Sequence, residues 1–188
     1  MSLIVIYKSK NFDYVCSDSS INDESISSNN LRLNSITNKL IKINETTFLG
    51  FTGSITNKDK IETIVLSIIN KNKSIFKNKS KLEEQIKILK NEFLYSVEDE
   101  DLSDVTIILY LNGNVLLLDN GSVLILEEDV ACFGYTSDFA KGYLTNINIK
   151  EKQEKVVDVE KEIITLYEYL KENSNYILDP FIVYKVKK

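Results

Sequence analysis

Lys39-Leu40-Ile41-Lys42-Ile43-Asn44-Glu45-Thr46-Thr47-Phe48-Leu49-Gly50-Phe51-Thr52-Gly53 is the stretch on which the reading of this sequence turns. Residues 47–51 form a short apolar run that predicts a strand, and Thr52-Gly53-Ser54 stops it because small hydroxyl residues around a glycine favour a turn. Beyond that stop the period changes. In residues 59–69 the apolar positions Ile61, Ile64, Val65, Ile68 and Ile69 follow the 3, 4, 7, 8 spacing of a one-faced helix, and Leu82, Ile86, Leu89 and Phe93 repeat it. A strand is therefore followed by two successive helices.

Working outward, residues 3–7 and 12–16 are β-branched apolar runs separated by the polar Lys8-Ser9-Lys10-Asn11, which predicts a hairpin at the start of the chain. Residues 22–38 are rich in Ser, Asn and Asp with few apolar anchors and read as a long surface excursion. Downstream, an acidic turn at 98–101 leads to strands at 105–111 and 115–118 joined by Asn112-Gly113, a strong two-residue hairpin signal. Strands at 123–126 and 130–133 extend that sheet system. Ser137 or Asp138 is expected to cap a short helix carrying Phe139, Ala140, Tyr143 and Leu144. Residues 160–170 present Ile163, Ile164, Tyr167 and Leu170 on one face, and Pro180 precedes a last strand at 181–186. Strands, two helices, strands, two helices and a strand make an α+β order with segregated layers. The 188 residues read as one domain, 1–188.

Composition removes whole classes of chemistry. Histidine is absent, which excludes Ser-His-Asp, Cys-His and His-ligated metal mechanisms. Twenty-three basic against 28 acidic residues leave a net charge of -5, which argues against a nucleic-acid partner. Cys16 and Cys132 make neither a disulfide framework nor a zinc spacing, and both read as small core residues in a reducing cytoplasm. The apolar runs fall far below the ~20 residues of a membrane span. The lysines of residues 71–90 read as a solvated helix face. Glu98 to Asp104 lack the pattern of a calcium loop, and Gly50 to Ser54 lack the ending of a phosphate loop. No metal and no cofactor are expected. Tyr167, Tyr169 and Tyr176 read as packing or subunit-contact aromatics.

What composition leaves open is a nucleophile that carries its own base. With Met1 removed the chain begins at Ser2, directly on a strand, and the α-amino group has an ordinary pKa of about 7.7 to 8.0, near working pH. No histidine is then needed.

The quoted stretch resembles one in proteasome β-type subunits and in their bacterial homologue, the peptidase of the HslUV protease, where a lysine precedes an oxyanion-hole glycine by fourteen residues; Lys39 and Gly53 keep that spacing. Ser2 and Asp18 keep the sixteen-residue spacing of the family's nucleophile and aspartate. Leu111-Asn112-Gly113-Asn114-Val115 is similar to the family's second hairpin, and the segment from Ala131 to Ala140 to its Gly-Ser-Gly strand-to-helix turn. The resemblance covers residues 2 to about 145 in order.

It implies an N-terminal nucleophile hydrolase fold, a four-layer αββα sandwich. It also implies roles: Ser2 as nucleophile in place of threonine, its amine as proton acceptor, and Lys39 depressing that amine's pKa by like charge. Asp18 holds Lys39, and the Gly53 N–H serves the oxyanion. Asn22 stands at a substrate-binding threonine position, and Ile41 and Phe51 match the first specificity pocket, which suggests small or aliphatic side chains. At the helper positions Tyr135 replaces the family's serine and Ser174 falls near its later aspartate, so the usual hydrogen-bond set is not reproduced. Leu3 replaces the second threonine. The implied activity is hydrolysis of peptide amides in peptides or unfolded proteins by a cytoplasmic threonine-type peptidase, a homo-oligomer in the form of a ring with an ATPase partner. The alternative is a catalytically inactive subunit of the same fold with a structural or binding role.

Overall fold

The computed structural model describes residues 3–19, 39–53, 58–97, 105–119, 122–174, 177 and 179–188. The surface excursion at 22–38, the acidic turn at 98–101, Ser54 and Tyr176 lie outside the described residues. The chain divides into two compact bodies, Met1–Ile41 with Glu128–Lys188, and Lys42–Glu127.

The first body is built on a four-stranded sheet in the order β8-β1-β2-β9, from β1 (Leu3–Lys8), β2 (Phe12–Ser17), β8 (Val130–Gly134) and β9 (Ile182–Lys187). All its pairings are antiparallel. β1 is central and apolar at every position from Leu3 to Tyr7, and it is buried on both faces. On one face Leu3, Val5, Tyr7, Tyr14 and Cys16 pack against helices α4 (Ser137–Lys152) and α5 (Val159–Asn173) through Ala140, Leu144, Ile147, Ile163, Leu166 and Tyr167. That contiguous apolar cluster removes most of the side chains involved from water, each worth about 1.5–3 kcal/mol if fully transferred. Asp158 caps α5, its carboxylate accepting from the Lys161 N–H at 3.2 Å.

Two expectations change here. The helix expected to be short and capped by Ser137 or Asp138 starts after Thr136 and runs sixteen residues. Ile147 continues the Ala140–Leu144 face at helical spacing and gives the extra turns an apolar anchor. On α5 the buried face is Val159, Ile163, Leu166, Tyr167 and Leu170, and Ile164 is exposed, since it sits about 100° around the helix from Ile163.

The second body carries a five-stranded sheet in the order β3-β4-β5-β6-β7. Its strands are β3 (Leu40–Asn44), β4 (Thr47–Gly53), β5 (Val105–Leu111), β6 (Asn114–Asp119) and β7 (Ser122–Leu126). The division between the bodies falls inside β3, a strand that the sequence reading left out. Asn112 and Gly113 join β5 to β6 with φ of 51° and 91°, the left-handed pair that a two-residue hairpin requires. Helices α1 (Lys58–Lys71) and α3 (Leu82–Val97) bury Ile61, Val65, Ile68 and Ile69 on one and Gln85, Leu89, Phe93 and Val97 on the other. Ile64, Leu82 and Ile86, expected on the buried faces, are half-buried at their margins. A short helix α2 (Lys73–Phe76) and a 3-10 turn (Lys79–Lys81) connect them, and their lysines are exposed. Among the described residues no helix is long and apolar enough to cross a membrane.

Candidate active site

β2 ends at Ser17, and the chain continues through Asp18 and Ser19, all three buried. The β1–β2 register pairs Ile4 with Ser17, so Asp18 comes opposite Leu3. The Leu3 N–H donates to Asp18 Oδ1 at 2.8 Å, and the Asp18 N–H donates back to the Leu3 carbonyl at 3.3 Å. The Ser17 hydroxyl donates to the Asp18 carbonyl at 2.6 Å. A carboxylate in place of a ladder carbonyl thus closes the strand pair one residue after Ser2.

Lys39 enters the same body just before β3. Its ammonium lies 3.8 Å from Asp18 Oδ2, the separation of an ion pair rather than of a direct hydrogen bond, and its side chain is only 3% exposed. Burial pushes the Lys39 ammonium down from 10.5 to about 8, against the attraction of the Asp18 carboxylate, which pulls it up. Desolvation wins because a cation sealed from water loses more than one carboxylate at that distance returns. The result is a buried, protonatable amine that is mostly charged at neutral pH and paired with a carboxylate that also grips the start of β1.

The remaining positions fall as follows. Ile41 is half-buried in β3, two residues after Lys39. Phe51 and Gly53 belong to the second body. Phe51 is fully buried, and Gly53 ends β4 opposite Val105 with a φ of 92°, a conformation that favours glycine. Tyr135 is 63% exposed in the turn after Gly134, whose β8 register places it opposite Leu3. Ser174 is the C-cap of α5. Ser2 and Asn22 lie outside the described residues. The structure therefore brings Asp18 and Lys39 together with the peptide that follows Ser2.

The sequence reading missed the part played by Leu3. Its side chain departs from the family's second threonine and simply enters the core, while the groups that meet Asp18 are its backbone N–H and C=O, which any residue other than proline supplies. No side-chain pattern could have flagged it.

No family model and no curated protein matches the sequence. The structure matches that of eukaryotic HslV from Trypanosoma brucei with a TM-score of 0.65 over 99% of this chain and 99% of that one. The chain has the HslV fold. At 16% identity the likeness to HslV is one of fold alone, and it places the α+β chain in the four-layer αββα class expected from the resemblance to proteasome β-type subunits.

Proposed function

We propose that this chain is a proteasome-like peptidase subunit of the N-terminal nucleophile type, in which Ser2, once Met1 is removed, cleaves peptide amide bonds. The observation that carries the reading is the Asp18 carboxylate, which takes the Leu3 N–H on one oxygen and faces the Lys39 ammonium with the other. Such an arrangement supports a cation beside the free amine of Ser2, and that cation favours the neutral, proton-accepting amine.

In this reading the Ser2 hydroxyl passes its proton to the α-amine and attacks the substrate carbonyl, and the Gly53 N–H stabilises the oxyanion. The protonated amine then returns the proton to the leaving nitrogen, and water releases the acyl group by the same relay. By the family resemblance Asn22, Ile41 and Phe51 are assigned to substrate recognition, with a preference for small or aliphatic side chains. The two bodies act as one proteasome-like domain, 1–188, a reading supported by the full-length likeness to HslV. Copies of the chain form a ring in the cytoplasm that admits peptides or unfolded segments and takes an ATPase partner. Sedimentation as a stable monomer at micromolar concentration would count against the ring.

The decisive experiment uses chain that begins at Ser2 with a free amine. It should hydrolyse small peptide amides or be acylated at Ser2 by a β-lactone, and Ser2→Ala and Lys39→Ala should each abolish this with folding intact. Activity that survives Ser2→Ala sinks the reading. The second reading, a catalytically inactive subunit, is favoured by Tyr135, a solvent-facing aromatic where the family carries a helper serine. Absence of acylation with the free amine verified by mass would establish that alternative.

A further inference from the structure

Tyr167 is buried completely in the middle of α5, where its ring lies 4.8 Å from that of Phe181. A phenylalanine would fill this core position equally well. The phenol adds a hydroxyl that has to find a partner once sealed from water, and it donates to the Leu3 carbonyl at 3.3 Å, across 164 residues of sequence. The same carbonyl accepts the Asp18 N–H, also at 3.3 Å. Burial first, and then nearby Cys16 and Asp18, hold the phenol pKa well above its ordinary value, so it stays a neutral donor throughout the working range.

Both polar backbone groups of Leu3 are tied: its N–H by the Asp18 carboxylate, and its C=O by the Asp18 amide and the Tyr167 hydroxyl. The Leu3 N–H and C=O lie in the peptides on either side of its Cα; Asp18 bonds to both, and the Leu3 carbonyl is the point at which the Tyr167 hydroxyl and the Asp18 amide meet. We infer that Tyr167 is a positioning residue for the proposed active site, fixing through the shared Leu3 carbonyl the placement of Asp18 beside Lys39. This rests on the reading of Ser2 as the nucleophile.

The test follows the rate of Ser2 acylation by a β-lactone against pH in chain beginning at Ser2. Tyr167→Phe keeps the ring and removes the hydroxyl. It should slow acylation about ten- to a hundredfold, as expected for loss of a near-attack geometry, and move the midpoint of the pH profile upward as Lys39 drifts from the amine. Phe181→Leu serves as the comparison, because it loosens the same ring contact without touching the hydroxyl; it should lower the melting temperature and leave the midpoint in place. A Tyr167→Phe profile superposing on the parent, or identical shifts in both variants, overturns the inference while leaving Ser2 as nucleophile. If the parent itself is not acylated at Ser2, the nucleophile reading fails and this inference falls with it.

Discussion

The Leu3 N–H donates to Asp18 Oδ1 at 2.8 Å while Asp18 Oδ2 faces the Lys39 ammonium at 3.8 Å, so one buried carboxylate serves a backbone donor and a cation together. Its two duties can be separated by mutation. Asp18→Ala leaves a buried N–H without its acceptor and a buried cation without its counter-charge, and removal of one partner of such a pair costs about 3–5 kcal/mol. Asp18→Asn retains an oxygen for Leu3 and loses only the charge, so it should be less damaging by about 1–3 kcal/mol. Urea unfolding of the two variants at pH 7 gives the comparison directly. Equal losses would mean that the Leu3 bond contributes nothing.

A second expectation concerns the β5–β6 hairpin. Gly113 has a φ of 91°, and an L side chain there meets the steric cost of the left-handed region, about 1–2 kcal/mol. Gly113→Ala should lower stability by that amount in a thermal melt and leave Ser2 acylation unchanged. A neutral effect on stability would show that the turn relaxes to another type.

This hairpin was legible because Asn-Gly between two apolar runs has a single good solution, and the apolar β1 and β2 were legible for the same local reason. β3 was not, because Leu40, Ile41 and Ile43 are interrupted by Lys42 and the strand lies at a sheet edge, where burial falls away along its length. The true length of α4 was hidden by Thr145, Asn146 and Asn148, weak helix formers whose cost is met by Ile147 packing into the core. At the candidate site, Asp18 and Lys39 were found through spacing and family resemblance. The Tyr167 hydroxyl and the Leu3 backbone were not, since a contact between residues 3 and 167 leaves no periodic trace.

The two thiols offer a test of register. Val5 pairs with Cys16 on one side and with Cys132 on the other, which sets the cysteines two strand spacings apart, about 9.5 Å. A disulfide needs Cα atoms within about 7 Å. Burial also raises both thiols, Cys132 to about 12. The folded protein should therefore form no internal disulfide with a mild oxidant and should alkylate slowly at pH 8, whereas the urea-unfolded chain reacts at once. A disulfide between Cys16 and Cys132 in the folded state would contradict the pairing of β8 with β1.

Lys39 makes stability depend on pH in a direction opposite to that of a surface lysine pair. Its folded value is about 8 against an ordinary 10.5, so below pH 8 both folded and unfolded chains hold the proton and the folded state bears the buried charge. Between those values the unfolded chain keeps a proton that the folded chain has released, and stability rises with pH at up to about 1.4 kcal/mol per unit. Folding raises Cys16 and Cys132 from 9.0 and Tyr7, Tyr14, Tyr143 and Tyr167 from 10.0, so above those values the unfolded chain ionises first and these groups pull stability down. Between pH 8 and 10 the contribution of Lys39 itself should climb by about 2–3 kcal/mol. Lys39→Met removes the group while the thiols and tyrosines stay common to both chains. Urea unfolding across the window should give a parent-minus-variant difference that climbs by that amount, and a flat difference would mean that the Lys39 charge is not buried in the folded protein.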